Sequence, residues 1–112
     1  RQLKFILYLT DVTKKNGGFN YIKHTHKPTE RVSYCVSTGW SLNKWQFSQQ
    51  EVEKLPSKYE FIDVIGKAGD LIIVDTSGIH KGSPIHSGSR IALTQYLWNL
   101  DNIPKSIKEQ MI

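Results

Sequence analysis

The sequence is short of several things, and each shortage excludes a class of protein. One cysteine, Cys35, occurs in 112 residues. A lone thiol closes no internal disulfide and supplies no thiolate metal cluster, so a stapled secreted scaffold finds no support. The apolar runs are short, Phe5–Leu9 and Leu71–Val74 among the longest, where a bilayer-crossing helix needs roughly 20. The chain starts at Arg1, and residues 3–9 alternate in character instead of forming a signal-peptide core. A cytoplasmic chain is expected, either processed or cut from something longer. There is no internal repeat, no low-complexity tract and no candidate boundary, so residues 1–112 read as a single domain.

Acidic residues are also scarce: 10 Asp and Glu stand against 15 Lys and Arg, a formal charge of +5. That balance suits an anionic partner, and nucleic acid is one such class. The basic residues are scattered, however, with Lys14-Lys15 and Lys23–Lys27 plus Arg31 the densest groups. Trp40, Lys44 and Trp45 form a single aromatic-basic group, thin for a base-stacking platform. A basic nucleic-acid-binding domain stays as a minor alternative, and a small anionic substrate or co-substrate is left open.

What is present is a succession of strands. Residues 3–9 carry apolar residues at both parities and predict a strand central in a sheet. Asn16-Gly17-Gly18 breaks the chain, Phe19–Lys23 predicts a short strand with Phe19 and Tyr21 on its buried side, and Pro28 closes that stretch. Tyr59–Ile65, Leu71–Asp75 and Arg90–Trp98 predict three more strands, and Thr76–Gly82 a polar exit loop. Between them, residues 32–47 settle into no period. Ser48-Gln-Gln-Glu51 is a capping box that predicts a short helix ending before Pro56, with Val52 and Leu55 on one face. The span 32–58 reads equally as a surface insertion or a lid. Ile103-Pro104, Ile107 and Met111 predict a terminal helical turn or two. Strands joined by Gly-rich turns, with little helix, indicate a mostly antiparallel barrel or sandwich.

Four histidines and one arginine could carry chemistry. His24 and His26 share a face if the chain is extended there, but two imidazoles make a weak metal signal and read first as loop histidines. His80 leaves an apolar strand between Gly78 and Gly82, at the mouth of a β structure, either as a functional group or as a satisfied histidine at a sheet end. His86 lies in a Ser/Gly-rich loop. Arg90 has small neighbours, Ala92 and Thr94, on its own side of the predicted strand. A guanidinium pointing into a barrel is costly unless an anion pairs with it, and its planar fork suits a carboxylate. An internal Asp, or water, is the alternative partner.

The run Gly69–Gly82, followed by Arg90-Ile91-Ala92-Leu93-Thr94, resembles the C-terminal half of the phytanoyl-CoA dioxygenase family of non-haem Fe(II), 2-oxoglutarate-dependent oxygenases. Lys4–Val12 with Asn16-Gly17-Gly18-Phe19 is similar to that family's first core strand and its Asn-Gly turn. Ile22–Lys27 resembles the family's Pro-Gly-Ser-His-Lys segment, with Lys23 at the proline, His24 at the glycine and Thr25 at the serine; only His26 and Lys27 match. Residues 32–58 match least, and the resemblance makes them the place where specificity for a small-molecule substrate would be decided.

The resemblance implies a double-stranded β-helix, a jelly-roll or cupin-like barrel, here truncated at its N-terminal side and with short helices. It implies Fe(II) and 2-oxoglutarate, with His80 as the distal metal ligand and Arg90 as the residue that pairs with the far carboxylate of 2-oxoglutarate; Thr94 and Tyr96 would line the same wall. The family's other two ligands, a His-x-Asp pair, belong upstream of residue 3, and no His-x-Asp or His-x-Glu occurs in the sequence. One ligand makes no facial triad. The expectation is the C-terminal part of a hydroxylase whose isolated chain is inactive. The competing expectation is a non-catalytic β-barrel module that binds a small carboxylate or other anion. An unorthodox site closing on His24 or His26 with Asp11 or Asp75 is a remote third. A barrel without its first strands would expose an edge along residues 3–9, and a homodimer through that edge is expected.

Overall fold

Strand β1, Gln2–Tyr8, is central: it pairs antiparallel with β4 (Leu71–Asp75) on one side and with β6 (Ala92–Trp98) on the other. The structure, a computed structural model, describes residues 2–98 and 105–109. A second sheet has β2 (Phe19–Ile22) in its middle, flanked by β3 (Phe61–Val64) and β5 (His80–Gly82), again antiparallel. The orders are β4-β1-β6 and β3-β2-β5. Central placement of residues 3–9 is therefore met, while an exposed edge along them is not, because both of their hydrogen-bonding sides are used. The edges lie at β4 and β6 in one sheet and at β3 and β5 in the other. The two sheets share no ladder among the described residues, so the architecture is mostly strand, in two antiparallel sheets with short helices, and no closed barrel is formed.

The alternation of β1 explains how the sheets stack. Ile6 and Tyr8 point at the second sheet and pack with Phe19, Tyr21, Val74 and Val12, with Ile62, Val64, Ile72 and Ala92 around them. Fully burying side chains of this size contributes about 1.5–3 kcal/mol each. Two tyrosine hydroxyls tie the sheets across this core: Tyr8 donates to the Val64 carbonyl at 2.6 Å, and Tyr21 donates to the Asp75 carbonyl at 2.9 Å. They run in opposite directions, one from each sheet, and remove the buried hydroxyls' need for water.

The far side of β2 is buried as well, which the one-sided reading of Phe19–Lys23 did not anticipate. Asn20 and Ile22 are 4% and 2% exposed. Asn20 donates from its amide to Asp63 and accepts from the Ser83 hydroxyl, so its buried polar atoms are paired. Ile22 packs with Tyr34, Cys35 and Tyr59 under a helical layer, with Trp40, Val52, Leu55 and Ile79 beside them. That layer contains helix α1, Pro28–Thr38, and helix α2, Gln49–Val52. Pro28 does not close a stretch; it opens α1, with Gly39 at φ 75° ending it. The apparent alternation of Val32, Tyr34 and Val36 misleads: Tyr34 is buried while Val32 and Val36 face water. The capping box of α2 forms as expected, Ser48 accepting from the Glu51 amide while Glu51 accepts from the Ser48 amide. Helix α3, Lys105–Lys108, supplies the expected terminal turn; Ile103, Pro104 and Met111 lie outside the described residues.

The other face of the first sheet has no layer against it among the described residues. Leu71, Ile73, Leu93 and Ile91 are 57–60% exposed. Among the described residues no helix is long and apolar enough to cross a membrane.

Candidate site between the two sheets

His80 opens β5 opposite Tyr21, on the side of β2 that faces the first sheet. The residue is solvent-exposed, and its ring lies 5.3 Å from that of Phe19. Its Nδ1 is 2.8 Å from the Gly78 carbonyl oxygen. A carbonyl only accepts, so Nδ1 is the donor, which in a neutral ring leaves the lone pair on Nε2. This is the orientation in which an imidazole is ready to ligate a metal or accept a proton. Sequence reasoning had placed His80 in a polar exit loop; the structure makes residues 80–82 a short strand instead.

The turn before His80 is held tightly. Gly78 is buried, its amide donates to the Asp75 carbonyl at 3.2 Å, and the Ile79 amide donates to the Thr25 hydroxyl at 2.8 Å. Thr25 in turn donates to the Ile22 carbonyl at 2.7 Å and is 1% exposed. The residue at the family serine position thus anchors the segment that presents His80.

Arg90 sits two residues ahead of β6, not at its start, yet on the parity that faces inward. It is half-buried, and a guanidinium nitrogen lies 3.5 Å from where a Cβ on Gly17 would be. Burial pushes the Tyr8 hydroxyl above its usual pKa, and the Arg90 cation offsets part of that rise. Among the described residues no carboxylate is within ion-pairing reach of Arg90 and no hydrogen bond holds it. The internal Asp that would have made it a structural residue is not there. Gly17 is itself required: its φ is 86°, and a Cβ would come within 2.8 Å of the Ile85 side chain and 2.9 Å of the Ser83 carbonyl. The Asn-Gly turn therefore packs directly against the approach to Arg90. Ala92, Thr94 and Tyr96 follow on the same face.

His24 and His26 do not share an extended face. Residues 23–26 form a turn, and His24 takes φ 70°, the left-handed region. Asp11 is engaged by the Lys67 ammonium and the Ala68 amide. Burial pushes the Asp75 carboxyl up, but the Ser77 hydroxyl and amide, with His26 nearby, outweigh it and leave the pKa lowered. Among the described residues no three His, Cys, Asp or Glu side chains are grouped to hold a metal. The expected convergence of His24 or His26 with Asp11 or Asp75 is therefore not formed among the described residues.

A cavity of about 990 Å³ opens beside His80 on the helical side of the second sheet. Trp45, Phe47, Gln49 and Val52 form one wall, and Ile22, Phe61 and Lys81 form the other. Arg31 holds this wall in place by donating to the Leu42 and Lys44 carbonyls at 2.7–2.8 Å. One residue of the interior went unremarked in the sequence. Lys4 points inward with Ile6 and Tyr8, its ammonium 5.0 Å from the Tyr96 ring centre and 5.8 Å from that of Phe19. Its signal was there to read, a single charge inside the apolar run Leu3–Leu9.

Fold and site together define a two-sheet antiparallel β domain with an inward cation and an exposed histidine set ten residues apart. The chain belongs to the phytanoyl-CoA dioxygenase (PhyH) family, whose model matches residues 1–92, a span that includes both His80 and Arg90. No curated protein matches the chain. The family is generally dependent on Fe(II) and 2-oxoglutarate. Against the residues present, iron finds one free imidazole nitrogen and no second or third ligand among the described side chains. They do not by themselves fit a complete iron site, and no reaction step through iron follows from them. For a carboxylate co-substrate the residue on hand is Arg90, a half-buried cation that no anion meets among the described residues.

Proposed function

We propose that this chain is the co-substrate-anchoring part of an Fe(II)/2-oxoglutarate-dependent hydroxylase, with Arg90 pairing the far carboxylate of 2-oxoglutarate and His80 acting as the distal metal ligand. The observation that carries the reading is Arg90: a half-buried guanidinium, on the inward face, with no carboxylate partner among the described residues. An uncompensated buried charge is destabilising, and a ligand carboxylate relieves that cost with a bidentate pair. The orders β4-β1-β6 and β3-β2-β5 support the same reading. They leave β5 and β6 with edges where two more strands would bring six to the eight of a double-stranded jelly roll. The wall formed by residues 45–52 faces the cavity beside His80, so a small-molecule substrate would be sorted there.

The second reading, a non-catalytic anion-binding module, is favoured by the lack of a metal-ligand group among the described residues. Titration calorimetry with 2-oxoglutarate, with and without Fe(II), separates the two. Binding that tightens with Fe(II) supports the hydroxylase reading, and metal-independent binding supports the module. In either case Arg90→Lys weakens binding, because a point charge loses the paired fork. An oxygen-dependent succinate assay on this chain alone is expected to read background; stoichiometric iron with succinate release would overturn the isolated-chain expectation.

A further inference from the structure

We propose that Lys4 is a second anion anchor in the interior, holding a carboxylate beside His80 while Arg90 holds another farther along the same wall. The inference rests on the reading above, that a carboxylate ligand occupies the space between the sheets.

Lys4 lies mid-strand in β1, paired with Val74 on one side and Tyr96 on the other. The positions that share its face, Ile6 and Tyr8, are core residues, 6% and 1% exposed. Lys4 itself is half-buried; an ammonium is compact and strongly hydrated, so the part of its hydration lost there is costly unless an anion meets it. No carboxylate does so among the described residues. Its contacts are the faces of Phe19 and Tyr96, which suit a cation but replace only part of its hydration.

Position identifies the ligand group. Lys4 and His80 both lean on the Phe19 ring, at 5.8 and 5.3 Å from its centre, so an anion on Lys4 would share the Phe19 neighbourhood with the His80 imidazole. Arg90 is six residues before Tyr96, the cross-strand partner of Lys4, which separates the two backbones by about 20 Å along the sheet. One carboxylate does not serve both cations. The second carboxylate is either the keto-side group of a 2-keto diacid or a carboxylate of the primary substrate. Both sources are the same chemistry at the same ammonium.

The test uses 2-oxoglutarate and hexanoate as probes, titrated calorimetrically into the metal-free chain and into Lys4→Met, Lys4→Gln and Arg90→Met. A tenfold or greater loss of 2-oxoglutarate affinity in Lys4→Met and Lys4→Gln assigns the anchor to the co-substrate. If that affinity is unchanged, hexanoate is added to chain saturated with 2-oxoglutarate. Binding to the wild type that vanishes in both Lys4 variants assigns the anchor to the substrate. No loss in either arm, or no binding of either acid to the wild type, overturns the proposal. Arg90→Met reports separately on the parent reading. If it leaves 2-oxoglutarate affinity intact, that reading fails; if it abolishes binding while the Lys4 variants change nothing, only the Lys4 inference fails. Stability without ligand gives an independent sign. A lysine kept for an absent anion makes Lys4→Met raise the urea midpoint, whereas a lysine kept for its aromatic contacts makes it fall.

Discussion

Gly78→Ala tests how the turn that presents His80 is built. A methyl at Gly78 would overlap the Tyr21 hydroxyl, reach 2.7 Å from Tyr21 Cζ and 3.0 Å from Thr25 Oγ1. The Tyr21 ring is 8% exposed and tied to the Asp75 carbonyl, so it cannot swing aside without breaking that bond. The lost hydrogen bond costs about 1 kcal/mol, and forcing a methyl into a packed site about 1–3 more. The expected loss is about 2–4 kcal/mol, against a total of about 6–17 for a chain this long. At roughly 4 °C per kcal/mol, the melting temperature falls by about 8–16 °C. Urea unfolding followed by circular dichroism measures it, with Gly82→Ala as the control. Gly82 has nothing within 4 Å of the added Cβ and no left-handed φ, so its change stays within about 0.5 kcal/mol. The Tyr21→Phe background gives the decisive comparison. Removing the hydroxyl costs about 1 kcal/mol alone, yet it clears the worst overlap, so Gly78→Ala then costs at least about 1 kcal/mol less than in the wild type. A Gly78→Ala penalty no larger than that of Gly82→Ala, or one unchanged in the Tyr21→Phe background, refutes the reasoning.

Two further outcomes follow from backbone strain and from burial. His24→Gly relieves a left-handed residue at φ 70° and is expected to raise stability by about 0.5–1 kcal/mol, read as a higher urea midpoint at constant slope; a lower midpoint would count against it. Burial, reinforced by the nearby Asp75 charge, pushes the Tyr21 hydroxyl up to about 12. The folded chain therefore keeps a proton that the unfolded chain loses near pH 10, and the stability this supplies is complete below that pH. It is lost as pH rises from about 10 to 12, by about 2 kcal/mol. Unfolding across that range, with Tyr21→Phe showing a shallower decline, checks it; parallel declines would refute it.

The fold was legible where local chemistry has one meaning. Residues 3–9 announced a central strand because both parities are apolar, and Ser48–Glu51 announced a cap because a hydroxyl and a carboxylate three apart satisfy two amides. Helix α1 was hidden by its own surface. Val32 and Val36 mimic a strand's alternation, but they are exposed residues of a helix whose true markers were Pro28 at its start and Gly39 at its end. Strand β5 was hidden by brevity, since three residues, His-Lys-Gly, carry no hydrophobic period at all. It exists because β2 offers it an edge, which is a tertiary cause.

The same distinction governs the site. His80 and Arg90 were singled out because glycines and small neighbours mark places where a backbone or a ligand comes close; the structure sets His80 on β5 opposite Tyr21 and Arg90 beside Gly17, ahead of β6. Their placement needed the fold, since His80 belongs to one sheet and Arg90 leads into the other. His24 shows the converse. At the position where the family has glycine, the chain keeps the left-handed turn and accepts a histidine in it, so the constraint there is on the backbone and the side chain is secondary. His24 and His26 read first as loop histidines, and the structure does place them in a turn. The turn's output is Thr25, buried and bonded to the Ile79 amide, one residue from His80. The segment thus supports the residue before His80, through the Thr25 hydroxyl's bonds to the Ile22 carbonyl and the Ile79 amide.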